Sequence, residues 1–374
     1  MKEWFDTPYF LVDEQKILRN LKILKQVAQR TGCKILLAQK AFSMYAVYPL
    51  LREYLDGTTA SGLHELRLGA EEFGKETHVF SPAYRSDEFE KILNYADHIS
   101  FNSPAQVRKF GKLAKEQGKS IGLRVNPECS TQEGHGIYDP CAFGSRLGTT
   151  LSEWDEEILP WLEGLHFHTL CEQDSDALEV TVKAFEEKFG QYLHGIRWLN
   201  LGGGHHITRD GYDLERLVNI ILYLQDTYQV QVYLEPGEAV VLNAGELVTS
   251  VLDIVKNEIE IAVLDASAAC HMPDVIEMPY RPPLKNAAET GEKPYFYRLA
   301  GPTCLAGDIM GDYSFDKPLS VGEQLIFEDM ALYTMVKTNT FNGMNLPSIV
   351  CRRLNGKEEL IRQFSYEDFK TRLS

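Results

Sequence analysis

Eight short apolar runs, alternating with stretches of helical periodicity, occupy the first two thirds of the chain and decide its architecture. They lie at residues 35–38, 57–60, 78–81, 98–101, 121–125, 164–168, 198–201 and 230–234. Runs this short suit strands of a parallel sheet, which read as near-continuous apolar segments because helices cover both faces. The segments 14–28, 63–73, 104–116, 176–189 and 214–223 instead carry the helical pattern. Such alternation specifies repeated βα units, and eight strands over this length is the count of a closed (β/α)8 TIM-like barrel. An open doubly wound sheet is the main competitor. It calls for a phosphate fingerprint after its first strand, where this chain has Lys40.

After Gly237 the pattern changes. Helical periodicity fades, and strands recur at 246–255, 259–264, 295–300, 323–327 and 346–352 between Pro and Gly turns. We therefore expect a barrel over residues 10–240 and a mostly β C-terminal domain over 241–374, with residues 1–9 joining the latter. Residues 282–294 read as an exposed excursion. Nothing approaches the roughly 18 consecutive apolar residues of a membrane span, and the start of the chain lacks a secretory signal. Seven cysteines, an odd number without metal-type spacing, fit a reducing cytoplasm rather than a disulfide framework. A formal charge of −16 disfavours nucleic acid as a partner and is compatible with a cationic ligand.

In a barrel of this type, chemistry is built from the C-terminal strand ends. The expected ends carry Lys40, Ser61, Arg124, His168, Gly202–Gly204 and Glu235. Each has a plain structural explanation: a solvated lysine, a satisfied core histidine, a flexible glycine turn. Six of them on one rim are harder to dismiss. A lysine and a carboxylate at strand ends are what pyridoxal 5′-phosphate requires, the one as Schiff-base amine, the other holding the pyridine nitrogen protonated. Gly202, Gly203 and Gly204 suit the phosphate, since backbone N–H groups without neighbouring Cβ atoms can approach an anion closely. Arg124 is either a rim ion pair or a support for His168 and the cofactor.

The strings Ala38-Gln-Lys40, His166-Phe-His168, Gly202-Gly-Gly204, Glu235-Pro-Gly237, Gly301-Pro-Thr-Cys304, Tyr333-Thr and Thr340-Phe-Asn-Gly343 run in one order along nearly the whole chain. In this the chain resembles the fold-type III pyridoxal phosphate decarboxylases, the group that holds the ornithine, arginine and diaminopimelate enzymes. The resemblance implies Lys40 as the Schiff-base lysine and His168 stacked on the cofactor ring. It places the phosphate on Gly202–Gly204 and Tyr333, and the pyridine nitrogen on Glu235. It also implies a homodimer with shared sites, in which Cys304 reaches the other subunit and protonates the carbanion carbon; otherwise Cys304 is a packed thiol.

The chain departs from the wider group at Glu238, where those enzymes have an arginine near the phosphate. The segments 269–281, 124–128 and 138–141 differ from them too, and together with Glu238 resemble the branch that acts on carboxylated polyamines. Such a substrate has a long cationic arm, which calls for placed carboxylates, and Glu238 with Asp274 is the expected pair. Otherwise Asp274 caps the turn after Pro273 and Glu238 pairs with a basic neighbour. Arg281 would hold a substrate carboxylate. Three alternatives stay open: decarboxylation of another basic or dibasic amino acid such as meso-diaminopimelate, racemisation, and non-catalytic cofactor carriage. Glu235 opposes racemisation, which normally wants an arginine at the ring nitrogen, and the β domain opposes carriage.

Overall fold

The structure, a computed structural model, describes residues 5–132 and 136–374. Residues 1–4 of the segment expected to join the β domain lie outside the described residues. The chain divides into two compact units, Arg19–Val240 and the chain through Leu18 together with Val241–Ser374.

The first strand, β1 (Tyr9–Asp13), belongs to the second unit. The next eight are β2 (Lys34–Ala38), β3 (Gly57–Ala60), β4 (Glu76–Phe80), β5 (His98–Phe101), β6 (Ser120–Arg124), β7 (Gly164–His166), β8 (Trp198–Asn200) and β9 (Gln231–Leu234). They form a closed parallel barrel in chain order. Closure is made by β9 against β2, with Lys34 opposite Tyr233 and Ile35 opposite Leu234. All eight expected strands are present, and the open-sheet alternative is ruled out by that closure.

Trp198 shows how the sequence fills the barrel. A Cβ at Gly164 would lie 2.0 Å from its ring, and one at Gly122 would lie 2.2 Å away. Glycines on the neighbouring strands β6 and β7 therefore make room for the largest side chain. Its indole N–H donates to Ser120 Oγ at 2.9 Å. The covering helices start where local chemistry says they should. Pro104–Glu116 has Pro104 in its first turn and Ser103 as its cap. Leu214–Tyr228 is capped by Asp213, whose carboxylate accepts from Arg216 N at 3.0 Å. The helix expected over 63–73 is α-helical over Leu63–Leu68 and widens into a π turn over Gly69–Phe73.

The second unit is built on β1 and β10 (Gly245–Asn257), β11 (Ile259–Leu264), β12 (Tyr295–Ala300), β13 (Ile309–Phe315), β14 (Gln324–Glu328), β15 (Ser348–Arg352) and β16 (Glu358–Arg362). The sheet order is β13-β12-β11-β10-β1-β15-β16, with β14 also on β10. β10 is long enough to pair with β14 through Glu246–Ser250 and with β11 beyond Val251. The core packs Phe10, Leu247, Leu264, Leu299, Tyr313 and Phe327.

One expectation is corrected here. The barrel unit starts at Arg19 rather than residue 10, because Tyr9–Asp13 is an inner strand of the β sheet, antiparallel to β10 and parallel to β15. The segment 282–294 is exposed over most of its length, as expected, and is anchored where Leu284 is buried against Phe327 and Ala288 bridges Ser314. β13 and β16 also escaped the sequence reading. Gly311 interrupts the first, and the second reads Glu-Glu-Leu-Ile-Arg with little apolar content.

Candidate active site

The C-terminal ends of the barrel strands surround a recess lined by Lys40, Ser61, Arg124, His166, His168 and Glu235 among others. The Lys40 side chain lines this recess and is exposed within it. The protein around the recess, followed by the nearby Arg124 charge, lowers the pKa of its ammonium. A lysine that gives up its proton easily is one that can attack a carbonyl.

Arg124 is buried, and burial pushes its pKa down to about 10. Its guanidinium lies 4.5 Å from the centroid of the Phe80 ring and donates to the carbonyl of His168 at 3.1 Å. Of the two readings of Arg124, the contacts are those of a support for His168. The His168 ring is oriented from the other side, where Gly203 N–H donates to its Nδ1 at 3.0 Å. Burial first, then the charges of Lys40 and Arg124, hold this ring's pKa well below the ordinary histidine value. With Nδ1 accepting, the single proton of the neutral ring sits on Nε2.

Glu235 is buried beside them. Its Oε1 accepts from Asn200 Nδ2 at 2.7 Å, and Asn200 Oδ1 in turn accepts from Gly202 N–H at 2.8 Å. Burial pushes the Glu235 carboxyl up, but the His166 and His78 rings and hydrogen bonds from Asn200 and Thr59 outweigh it, and the pKa is lowered. The recess thus presents a buried carboxylate 3.7 Å from His166 Nε2.

The glycine run is closely packed. Gly202 and Gly204 have φ of +71° and +80°. Cβ atoms at Gly202, Gly203 and Gly204 would lie 2.5, 2.4 and 1.9 Å from the carbonyl oxygens of Phe167, Glu235 and Leu170. The run lets three loop backbones close up. Two of its N–H groups donate inside the protein, to Asn200 Oδ1 and to His168 Nδ1. Glu238 lies on the same unit, its Oε2 3.4 Å from Nε2 of the buried His206.

The remaining expected site residues belong to the second unit. Cys304 is exposed, and Asn342 Oδ1 accepts its backbone N–H at 2.8 Å. Tyr333 has φ of +50°, uncommon for a bulky side chain, at the start of the helix Thr334–Lys337. Asp274 already carries a cation: Lys337 Nζ sits on its Oδ1, and Lys337 also lies over the Tyr333 ring at 5.9 Å. Arg281 is likewise engaged, paired with Glu289 and stacked over Tyr313 at 4.7 Å, so nothing in its contacts supports the expected hold on a substrate carboxylate. The sequence reading assigned no role to Asn200, His166 or Phe80. Asn200 left a trace, a polar residue closing the apolar run Trp198–Leu201. Phe80 left none, because only its packing against Arg124 distinguishes it from any core aromatic.

The family model for the pyridoxal-dependent decarboxylase, C-terminal sheet domain, matches residues 11–331. This chain belongs to the pyridoxal-dependent decarboxylase family. It is 44% identical over 381 residues to the carboxynorspermidine/carboxyspermidine decarboxylase of Campylobacter jejuni, covering 99% of each chain. It is equally 44% identical over 371 residues to the carboxyaminopropylagmatine decarboxylase of Synechocystis sp., covering 98% of this chain and 95% of that one. The crystal structure of the Campylobacter jejuni carboxynorspermidine decarboxylase complexed with norspermidine superposes with a TM-score of 0.92 at 43% identity, over 98% of this chain and all of that one.

The residues of this decarboxylase fit the cofactor on physical grounds. Neither ring nitrogen of the buried His166 has a hydrogen-bond partner among the described residues, as expected of a wall built to face a polar ligand. An easily deprotonated lysine, a flat neutral imidazole and a buried carboxylate share one recess. These are the amine, the stacking face and the counter-ion that pyridoxal phosphate requires. No helix among the described residues is long and apolar enough to cross a membrane.

Proposed function

We propose that this chain removes the α-carboxylate of carboxynorspermidine, carboxyspermidine or both, releasing norspermidine or spermidine and CO2. The observation that carries the reading is the pairing of a lysine whose pKa is lowered with an ionised buried Glu235 in one recess. It is joined by full-length identity of 44% to an enzyme named for those substrates.

When bound, pyridoxal phosphate supplies an electron sink for the pair left on the α-carbon as CO2 departs. The residues do the rest. Lys40 holds the cofactor and later frees the product. Glu235 keeps a proton at the ring nitrogen, and Asn200 holds Glu235 in place. His168, locked by Gly203 on one side and by Arg124 through its own carbonyl, would offer its face to the ring. Gly204 and Tyr333 would take the phosphate. Cys304, supplied across a homodimer, delivers the proton that replaces the carboxylate. Its exposure on its own chain supports that role. Seven cysteines, none in a disulfide, support a cytoplasmic setting.

For the cationic arm we assign Glu238, with Asp274 contributing only together with Lys337. Glu238→Gln raises KM for carboxynorspermidine roughly tenfold, since a charge-assisted contact is worth about 1.5–3 kcal/mol. A second reading, a guanidino-tailed substrate, is favoured by the equal identity to the Synechocystis enzyme. One experiment separates these readings: CO2 release from carboxynorspermidine, carboxyspermidine, carboxyaminopropylagmatine and meso-diaminopimelate. Highest kcat/KM on either of the first two upholds the proposal. Highest kcat/KM on the third selects the second reading, and on the fourth it overturns both.

A further inference from the structure

Within the second unit, one buried carboxylate ties the turn after β11 to the Cys304 loop, and the loop carrying Asn339 and Asn342 bonds to both. Asp308 is 2% exposed. Its Oδ1 accepts from Ser267 Oγ at 3.0 Å and Ala269 N at 3.1 Å. Its Oδ2 accepts from Ser267 Oγ at 2.9 Å, Thr303 Oγ1 at 2.6 Å and Thr303 N at 3.4 Å. Its backbone carbonyl accepts from Gly301 N at 2.8 Å, and a Cβ at Gly301 would lie 2.2 Å from Oδ2. The glycine is the reason the loop can close onto the carboxylate.

The ring is completed on the far side. Asn339 Nδ2 donates to Ala269 O at 2.8 Å and Asn339 N to Cys270 O at 2.9 Å. Three residues on, Asn342, with φ of +57°, accepts the Cys304 N–H. Cys304 is therefore held from both directions, through Thr303 by Asp308 and through its own N–H by Asn342. Its thiol has no hydrogen bond among the described residues, so the backbone frame alone fixes the Cβ from which it projects.

We propose that Asp308 is the positioning residue that aims the Cys304 thiol for proton delivery, which rests on the reading of Cys304 as donor. A buried carboxylate surrounded by donors is costly to strip of any partner, and every partner here belongs to the frame around Cys304. The step is sensitive to aim. As CO2 leaves, its bonding electrons remain with the α-carbon, and the S–H proton must arrive there; the thiolate regains a proton from water. Were the proton to go to the cofactor instead, water would have to hydrolyse the remaining carbon–nitrogen double bond, leaving the substrate nitrogen on the cofactor as an amine and releasing the product as an aldehyde. The ratio of aldehyde to amine product therefore reports the aim of the thiol.

The test uses the full-length holoenzyme with Asp308→Asn and Thr303→Val, each checked by gel filtration and thermal melting. For Asp308→Asn we expect kcat to fall roughly 10- to 100-fold with KM within about threefold, as a misplacement on the order of 1 Å would produce. The aldehyde share should rise about tenfold. Thr303→Val should move both in the same direction, by roughly three- to tenfold. Labelling of Cys304 by iodoacetamide, followed by peptide mass, should speed up about fivefold in Asp308→Asn while Cys129 labels at its usual rate. Asp308→Asn in a Cys304→Ala background should cost no more than about twofold beyond Cys304→Ala, because the two act as one unit. A folded Asp308→Asn with the wild-type product ratio, or a fully additive double variant, overturns the proposal. Should Asp308→Asn fail to fold, a wild-type product ratio in Thr303→Val overturns it. A Cys304→Ala enzyme with an unchanged product ratio sinks the donor reading itself, and the proposal with it.

Discussion

The two ends of the barrel treat their charged groups in opposite ways. At the N-terminal end, Glu76 opens β4 and every neighbour answers it. Lys34 Nζ is 2.6 Å from its Oε2, and His78 Nε2 and the Tyr233 hydroxyl are 2.8 and 2.7 Å from its Oε1. His98 Nε2 is 3.2 Å away, its ring stacked on His78 at 4.1 Å. Burial pushes the Glu76 carboxyl up, but hydrogen bonds from His78, Lys34 and Tyr233 hold it well below the usual carboxylate range. At the C-terminal end the arrangement is left open. There neither nitrogen of His166 has a hydrogen bond among the described residues, and its nearest carboxylate, Glu235, stands 3.7 Å off. One end closes its electrostatics to hold strands together; the other keeps it open for something that is not protein. The barrel architecture allows this division because the loops that carry chemistry all leave from one face.

Four measurements would break or sharpen that contrast. The largest effect belongs to Lys40→Ala, which should lower turnover about 10³-fold or more and abolish the holoenzyme's bound-cofactor absorbance, with little change in melting temperature. Measurable turnover with normal cofactor absorbance would mean that the open end does not work as described. Next comes Glu235→Gln, which removes the counter-ion at the ring nitrogen. Here kcat should drop roughly 10²- to 10³-fold, with a modest loss of stability, because the fold favours the ionised carboxylate. A loss of folding with kcat intact would make Glu235 a structural residue like Glu76.

The third effect is on stability alone. Glu76→Gln should cost about 1–3 kcal/mol in urea unfolding, with kcat within about twofold of wild type. A large loss of kcat would end the distinction between the two mouths. The smallest effect is in pH. Burial pushes His98 down to about 3 and His166 down to about 4, below the ordinary value of 6.5. Because the folded pKa lies below the unfolded one, the stability tied to each is full above about pH 6.5 and is lost as pH falls toward those values. Unfolding free energy should therefore decline from pH 7 to 5, by about 1–2 kcal/mol for each such histidine. His98→Asn and His166→Asn should each flatten the slope, and only the second should also cost activity. A slope unchanged in both variants would show that other groups dominate.

Much of this could be read from residues in order. The eight barrel strands announce themselves because a strand buried on both faces must be apolar throughout, and that signal is local. Lys40 and Glu235 stand out for the same reason, as charges at the tips of such runs. Other features are legible only after folding. β1 was hidden because Tyr9–Asp13 runs directly into a helix, and only its pairing with β10 and β15 shows where it belongs. The glycine run could be located but not interpreted, since the acceptors of Gly202 and Gly203 N–H come from Asn200 and from a loop some 35 residues away.

By itself the sequence determined the architecture and the chemical types at the strand tips, because periodicity and local burial are properties of neighbouring residues. Tertiary structure decided which charges are answered and which are left waiting. It set Lys337 on Asp274 and Glu289 on Arg281, and it set Asp308 behind Cys304. The first joins residues 63 positions apart and the other two depend on how a loop turns back on itself, and a linear pattern encodes neither.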